Sequence, residues 1–185
     1  MEVDLRKIVG RYGFLFLVAG LIIFVDQWTK HLVRTRLDFG EVWAPWSNVL
    51  PFIKVVHWTN TGAAFGLFQN LGLFFTVLAF VVIVAILYYY PRIPDEEWPL
   101  RVALAMQLGG AGGNLVDRLT VEHVTDFIAV GNFPVFNVAD SSISVGVALL
   151  LLGTWIMGRG KKHAQIPSDA RISQSSESVG EGESL

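Results

Sequence analysis

The chain has 185 residues, of which 52% are apolar and only 16% charged, with a formal charge of −2 and no cysteine. This composition is unusual for a soluble domain and leaves no basic excess for a nucleic-acid surface. The missing cysteine rules out disulfides, a thiolate nucleophile and a cysteine-type zinc site.

The apolar residues gather in stretches near the length that a hydrocarbon core of about 30 Å demands of a helix. The pattern predicts an all-α polytopic membrane protein with four transmembrane helices and a small outer β segment. The first span, about 12–30, follows Arg6, Lys7 and Arg11 and ends on Asp26-Gln27-Trp28-Thr29-Lys30. It has a basic front but no small-residue cleavage site, which favours a retained helix over a removable signal peptide.

The outer segment, about 36–68, contains Phe52 to Trp58, a β-branched and aromatic run between Pro51 and Asn60-Thr61-Gly62, so a strand and turn are expected there. Trp43, Trp46 and Trp58 suit the headgroup zone. The remaining spans are expected at about 71–90, 100–117 and 141–157. Residues 1–163 then form the membrane domain, and the Ser, Gly and Glu-rich residues 164–185 a disordered cytoplasmic tail. With both termini inside, nine Lys and Arg fall on the inner side and five on the outer, as the positive-inside rule requires.

Under this topology the polar residues that interrupt apolar sequence meet at the outer face: Asp26, Lys30, Asn60, Asn114, Asp117, Arg118, Asp126, Asn137 and Asp140. Such groups at membrane depth are costly unless paired or hydrated, so the cluster is a candidate site, with helix-end anchoring as the alternative. Asp26 and Lys30 are four apart, the favourable order for an ion pair that fixes the end of a helix. Asp117 is expected to pair with the adjacent Arg118. Gly109 and Gly113 have close-packing spacing, which serves either helix contact or the passage of a peptide backbone.

Asp126 and Asp140 flank the turn between the last two spans. Two carboxylates in one desolvated pocket share a proton, and such a pair can activate water and protonate a leaving amine. The four histidines form no H-E-x-x-H pattern and Ser141 and Ser142 sit in no G-x-S-x-G elbow, so zinc and serine chemistry have weaker support. A small transporter or channel, with its acidic groups lining an ion path, is the alternative of another class.

Five blocks, in order, carry a family resemblance: Asp26 to Lys30 (DQWTK), Asn60 to Phe65 (NTGAAF), Gly109 to Arg118 (GGAGGNLVDR), Val124 to Phe127 (VTDF) and Phe136 to Asp140 (FNVAD). The sequence resembles the bacterial lipoprotein signal peptidases, or type II signal peptidases. The resemblance implies an aspartic endopeptidase of the inner membrane, with Asp126 and Asp140 catalytic near the outer face. Its substrates would be prolipoproteins, cut before a diacylglyceryl-modified cysteine. Asn60, Asn114, Arg118 and Asn137 would hold substrate or orient the dyad, and Asp26, Lys30, Asp117, Gly109 and Gly113 would support the site. Membrane lipids as partners, a monomeric state, inhibition by globomycin-like cyclic peptides, and no metal or organic cofactor complete the expectation.

Overall fold

The computed structural model describes residues 5–61 and 72–164. The expected disordered tail, from Gln165 on, and the Gly62 to Phe65 part of the second block lie outside the described residues. The elements run α1 (Leu5–Arg36), β1 (Val42–Trp43), β2 (Ile53–Asn60), α2 (Gly72–Tyr89), a 3-10 turn (Tyr90–Arg92), α3 (Trp98–Thr120), β3 (Val124–Val130) and α4 (Val138–Ala164). Two compact units are distinguished, Met1–Leu150 and Leu151–Leu185. In the second, Leu151, Leu152, Trp155 and Ile156 are exposed side chains of α4.

Among the described residues, three segments are long and apolar enough to cross a membrane: Val9–Arg36, Gly72–Arg92 and Val138–Ile156. Their outward faces are apolar too, with Phe14, Leu17, Leu21, Leu73, Val77 and Val84 exposed, as expected of helices whose surroundings are lipid. The third expected span, α3, has the length at 23 residues but not the apolarity. Arg101, Gln107, Asn114, Asp117, Arg118 and its glycines dilute it. The dilution follows from position: α3 packs against α1 and α2 and is the most buried helix, so its side chains meet protein rather than lipid.

Glycines set how closely the helices approach. A Cβ on Gly109 would lie 2.8 Å from Ile22 Cβ of α1, and one on Gly110 would lie 2.5 Å from the Ala139 carbonyl oxygen of α4. On the far side from the polar cluster, Leu15, Ala19, Ile86, Tyr90, Ile93, Ala105 and Leu108 form the apolar core that joins α1, α2 and α3.

The β segment is larger than expected. β1, β2 and β3 form one antiparallel sheet in that order, and the third strand comes from the connection between α3 and α4 rather than from residues 36–68. The reason is pairing: Val124–Val130 has β-branched and aromatic residues, and the edge of β2 gives them a ladder. The β2 to β3 register shifts between Val55 and Trp58. One extra residue in β2 places Asn60, rather than Thr59, opposite Val124. Because side chains alternate along a strand, this bulge puts Asn60 on the face that carries Asp126.

Candidate active site

The site grows out of the first turn of α4. Asn137 caps this helix: its Oδ1 accepts from the Asp140 backbone N–H at 2.9 Å, and Asp140 Oδ2 accepts from the Asn137 N–H at 3.3 Å. This reciprocal pair is a capping box, which satisfies donors that a helix start leaves open. The neighbouring Ala139 N–H donates to Asp26 Oδ1 at 2.9 Å. A carboxylate at that position also meets the positive end of the helix dipole. One helix start therefore holds Asp140 in place from both sides.

The side-chain amide of Asn137 turns the other way, toward β3, and its Nδ2 donates to Asp126 Oδ1 at 2.7 Å. Asn60 Nδ2 donates to Asp126 Oδ2 at 3.0 Å, across the bulged ladder. Asn114, nearly three-quarters of the way along α3, donates from Nδ2 to Asp140 Oδ1 at 2.8 Å. Its orientation is determined, because its Oδ1 faces the Lys30 ammonium at 2.9 Å and Lys30 can only donate. Asp126 and Asp140 line one cavity of about 730 Å³, with Asn60, Asn114 and Arg118 also on its wall.

Asp126 lies outside the membrane-spanning helices and is almost fully buried, at 1% exposure. Its carboxyl is pushed up to about 7, first by burial and next by the charge of Asp140, against the hydrogen bonds from Asn60 and Asn137. Desolvation disfavours the charged form and a like charge adds to it.

Behind the cavity lies an ionic cluster. Lys30 is fully buried and pairs with Asp26 at 2.8 Å and Asp117 at 3.1 Å. The expected Asp26 to Lys30 pair is present, but Asp117 does not pair with Arg118. It takes Lys30 and Arg34, the latter at 3.3 Å, together with the Thr125 N–H and the Gln27 amide. The correction has a geometric cause: adjacent residues on a helix point about 100° apart, so Asp117 faces α1 while Arg118 faces the cavity. There the Arg118 guanidinium lies 5.7 Å from the Phe75 ring centroid. Gly113 is bare because a Cβ would come within 2.6 Å of Asp26 Oδ2, the oxygen that holds Lys30.

All the expected residues except Gly109, which packs against Ile22 and Ala19 of α1, thus meet around one cavity or in the cluster behind it. Arg34, Thr125 and Gln27 were not anticipated as members. Arg34 could have been, since Asp26, Lys30 and Arg34 repeat every four residues on one face of α1. Thr125 falls in the Val124 to Phe127 block but has no charge to mark it, and it reaches the cluster because β3 sends alternate side chains to opposite faces.

Residues 18–156 match the family described as signal peptidase (SPase) II. The chain belongs to the signal peptidase II family. Among its relatives in that family, it is 40% identical to the lipoprotein signal peptidase of Shouchella clausii (strain KSM-K16) over 154 residues, 80% of this chain and 97% of the relative. It is 41% identical to that of Acinetobacter baumannii (strain ATCC 17978) over 145 residues, 74% of this chain and 80% of the relative. A solved bacterial membrane enzyme superposes with a TM-score of 0.71 at 29% identity, covering 84% of this chain and 93% of its own. The signal peptidase II assignment and the apolar helices together make this a bacterial membrane protein and a protease.

Proposed function

We propose that this protein is an aspartic endopeptidase that removes the signal peptide of prolipoproteins on the N-terminal side of a diacylglyceryl-modified cysteine. The reaction class follows from the family and from relatives named lipoprotein signal peptidases. The observation that carries the aspartic mechanism is the pair Asp126 and Asp140, which come from different elements, line one cavity and share Asn137 as a bridge.

Electroneutrality supports a single shared proton. The site and its cluster hold four acids, Asp26, Asp117, Asp126 and Asp140, and three bases, Lys30, Arg34 and Arg118. A desolvated assembly of this kind balances when one carboxyl is protonated. Asp126, with its raised pKa of about 7, is the proton carrier.

In the forward reaction Asp140 takes a proton from water as the water oxygen bonds to the scissile carbonyl carbon. The oxyanion that forms lies near the Arg118 guanidinium on the cavity wall, a donor suited to developing negative charge. On collapse the C–N bond breaks, and the Asp126 proton goes to the leaving amine nitrogen. Proton exchange between the two carboxyls through water restores the resting state. Asn60 holds Asp126 and borders the peptide, while Asn114 and Asn137 orient the carboxylates. Asp26, Lys30 and Asp117 act on the site through the Ala139 N–H, Asn114 and the Thr125 N–H beside Asp126.

We infer further that α3 is a fourth span, since its 23 residues lie among three spanning helices. Four crossings put both termini on one side, and the excess of Lys and Arg there makes it the cytoplasm. The site then opens near the outer face of the inner membrane, where acyl chains of the substrate hold the scissile bond at membrane depth. The transporter alternative has no support: the family and the relatives are signal peptidases, and α2 carries no charge along its length.

Incubation of the purified protein with a diacylglyceryl-modified precursor, with and without globomycin, tests the proposal. Cleavage of the lipidated form alone, lost with the inhibitor, is expected. Ion flux in liposomes without cleavage would overturn it.

A further inference from the structure

The cavity continues from the two carboxylates along α3, and its wall there is apolar apart from Gln107 and Ser144. Gln107 lies seven positions before Asn114 on α3. Two helical turns return to nearly the same face, so its side chain stands about 10 Å deeper along the helix axis than that of Asn114. Leu78, Val82, Ala111 and Ile143 line the same stretch of wall.

The Gln107 amide is costly as it stands. Its Nε2 is shielded from solvent and has no hydrogen-bond partner among the described residues. An unmet amide donor in apolar surroundings is destabilising. The fold nevertheless makes room for it: a Cβ on Gly146 of α4 would come within 3.1 Å of Gln107 Cγ and 2.9 Å of the Ala103 carbonyl. A leucine or methionine would fill this place without that penalty.

We infer that Gln107 is a substrate-binding residue, whose amide donates to a main-chain carbonyl of the signal peptide on the N-terminal side of the scissile bond. The inference rests on the peptidase reading and adds a contact to it. A signal peptide enters from the cytoplasmic side, so the part still to be released runs down the cavity away from the carboxylates. Extended chain advances about 3.3 Å per residue, which brings the carbonyl of roughly the third residue before the cut to the depth of Gln107. Acyl chains at that depth offer no acceptor. The terminal torsion of a glutamine is broad, so the amide can turn its NH2 into the cavity when a carbonyl arrives.

The test compares wild type with Gln107→Leu and Gln107→Met on two lipidated peptides, one with two residues before the scissile bond and one with six. For the longer peptide, either substitution should raise KM about fivefold to tenfold while kcat moves less, the pattern of a lost uniform-binding hydrogen bond. The advantage of the longer over the shorter peptide in KM should shrink by the same factor. Melting temperature should stay level or rise, because an unmet donor is removed. An unchanged KM with the longer peptide would overturn the inference. An equal rise with both peptides would do so as well, since it would assign the acceptor to the diacylglyceryl ester. Lower melting temperatures in both variants would mark a structural residue instead. Absence of cleavage by wild type would bring down the peptidase reading, whereas the inference fails alone when wild type cleaves and the variants match it.

Discussion

Asn137 Nδ2 lies 2.7 Å from Asp126 Oδ1, so the residue that caps α4 also holds the carboxylate of a strand in another layer. The same side chain accepts from the Asp140 N–H. Helix start, strand and both carboxylates are therefore located by one amide, and the two jobs of that amide are separable. Asn137→Ala should lose both the cap, worth about 1 kcal/mol, and the bond to Asp126. Asn137→Ser should recover most of the cap while cleavage stays at least about tenfold below wild type. Melting curves and kcat on a lipidated precursor would show whether stability and activity part in this way. Recovery of both by serine would argue against the bridging role.

Replacing Asp126 or Asp140 by Asn should lower kcat by on the order of 10² to 10⁴ while leaving the protein folded. Normal turnover by either variant is incompatible with the dyad. Asp126 also predicts how wild type responds to pH. If it donates the proton, kcat/KM should fall above pH about 7, as the carboxyl whose pKa is raised to about 7 ionises. Stability has a matching sign. The native carboxyl holds its proton more tightly than an ordinary one at 3.8, so ionisation favours the unfolded chain. Wild type should therefore lose stability relative to Asp126→Asn as pH rises from about 4 to about 7, and the gap should then level. A gap independent of pH across that window would contradict the raised value.

Lys30 compensates two buried acids, Asp26 and Asp117, at 2.8 and 3.1 Å. Lys30→Met should cost about 3–5 kcal/mol, because it leaves uncompensated charge in a dry place. The loss would appear as a lower melting temperature in detergent, and activity should fall with it as Asn114 loses the partner that orients it. Pairing the change with Asp26→Asn should recover part of the stability, since the buried charge is then smaller. A melting temperature equal to wild type in the single variant would show that the cluster is hydrated.

Gly110 and Gly20 are both helical, yet their neighbourhoods differ. A methyl on Gly110 would meet the Ala139 carbonyl oxygen and Ile143, whereas one on Gly20 meets nothing within 4 Å. Gly110→Ala should destabilise by about 1–3 kcal/mol through overpacking and displace the α4 start that carries Asp140. Gly20→Ala should be neutral or stabilising by up to about 1 kcal/mol, the ordinary helix preference. Thermal melts of the two variants side by side would test the contrast, and equal behaviour would refute close α3 to α4 contact.

Much of this protein is determined by its sequence alone. Apolar stretches of membrane-spanning length locate α1, α2 and α4, and four-residue spacing pairs Asp26 with Lys30, because both are local consequences of helix period and solvent. The five short blocks also mark Asp126 and Asp140 well before any geometry is known. Tertiary structure alone decided what the local pattern could not carry. It turned Asp117 from the neighbouring Arg118 to Lys30 and Arg34, and made Val124–Val130 a strand. It also shifted β2 by one residue, so that Asn60 reaches Asp126. The physical reason is common to all three: a side chain's partner depends on which face its element turns to a distant neighbour, and that is settled only when helices and strands pack together.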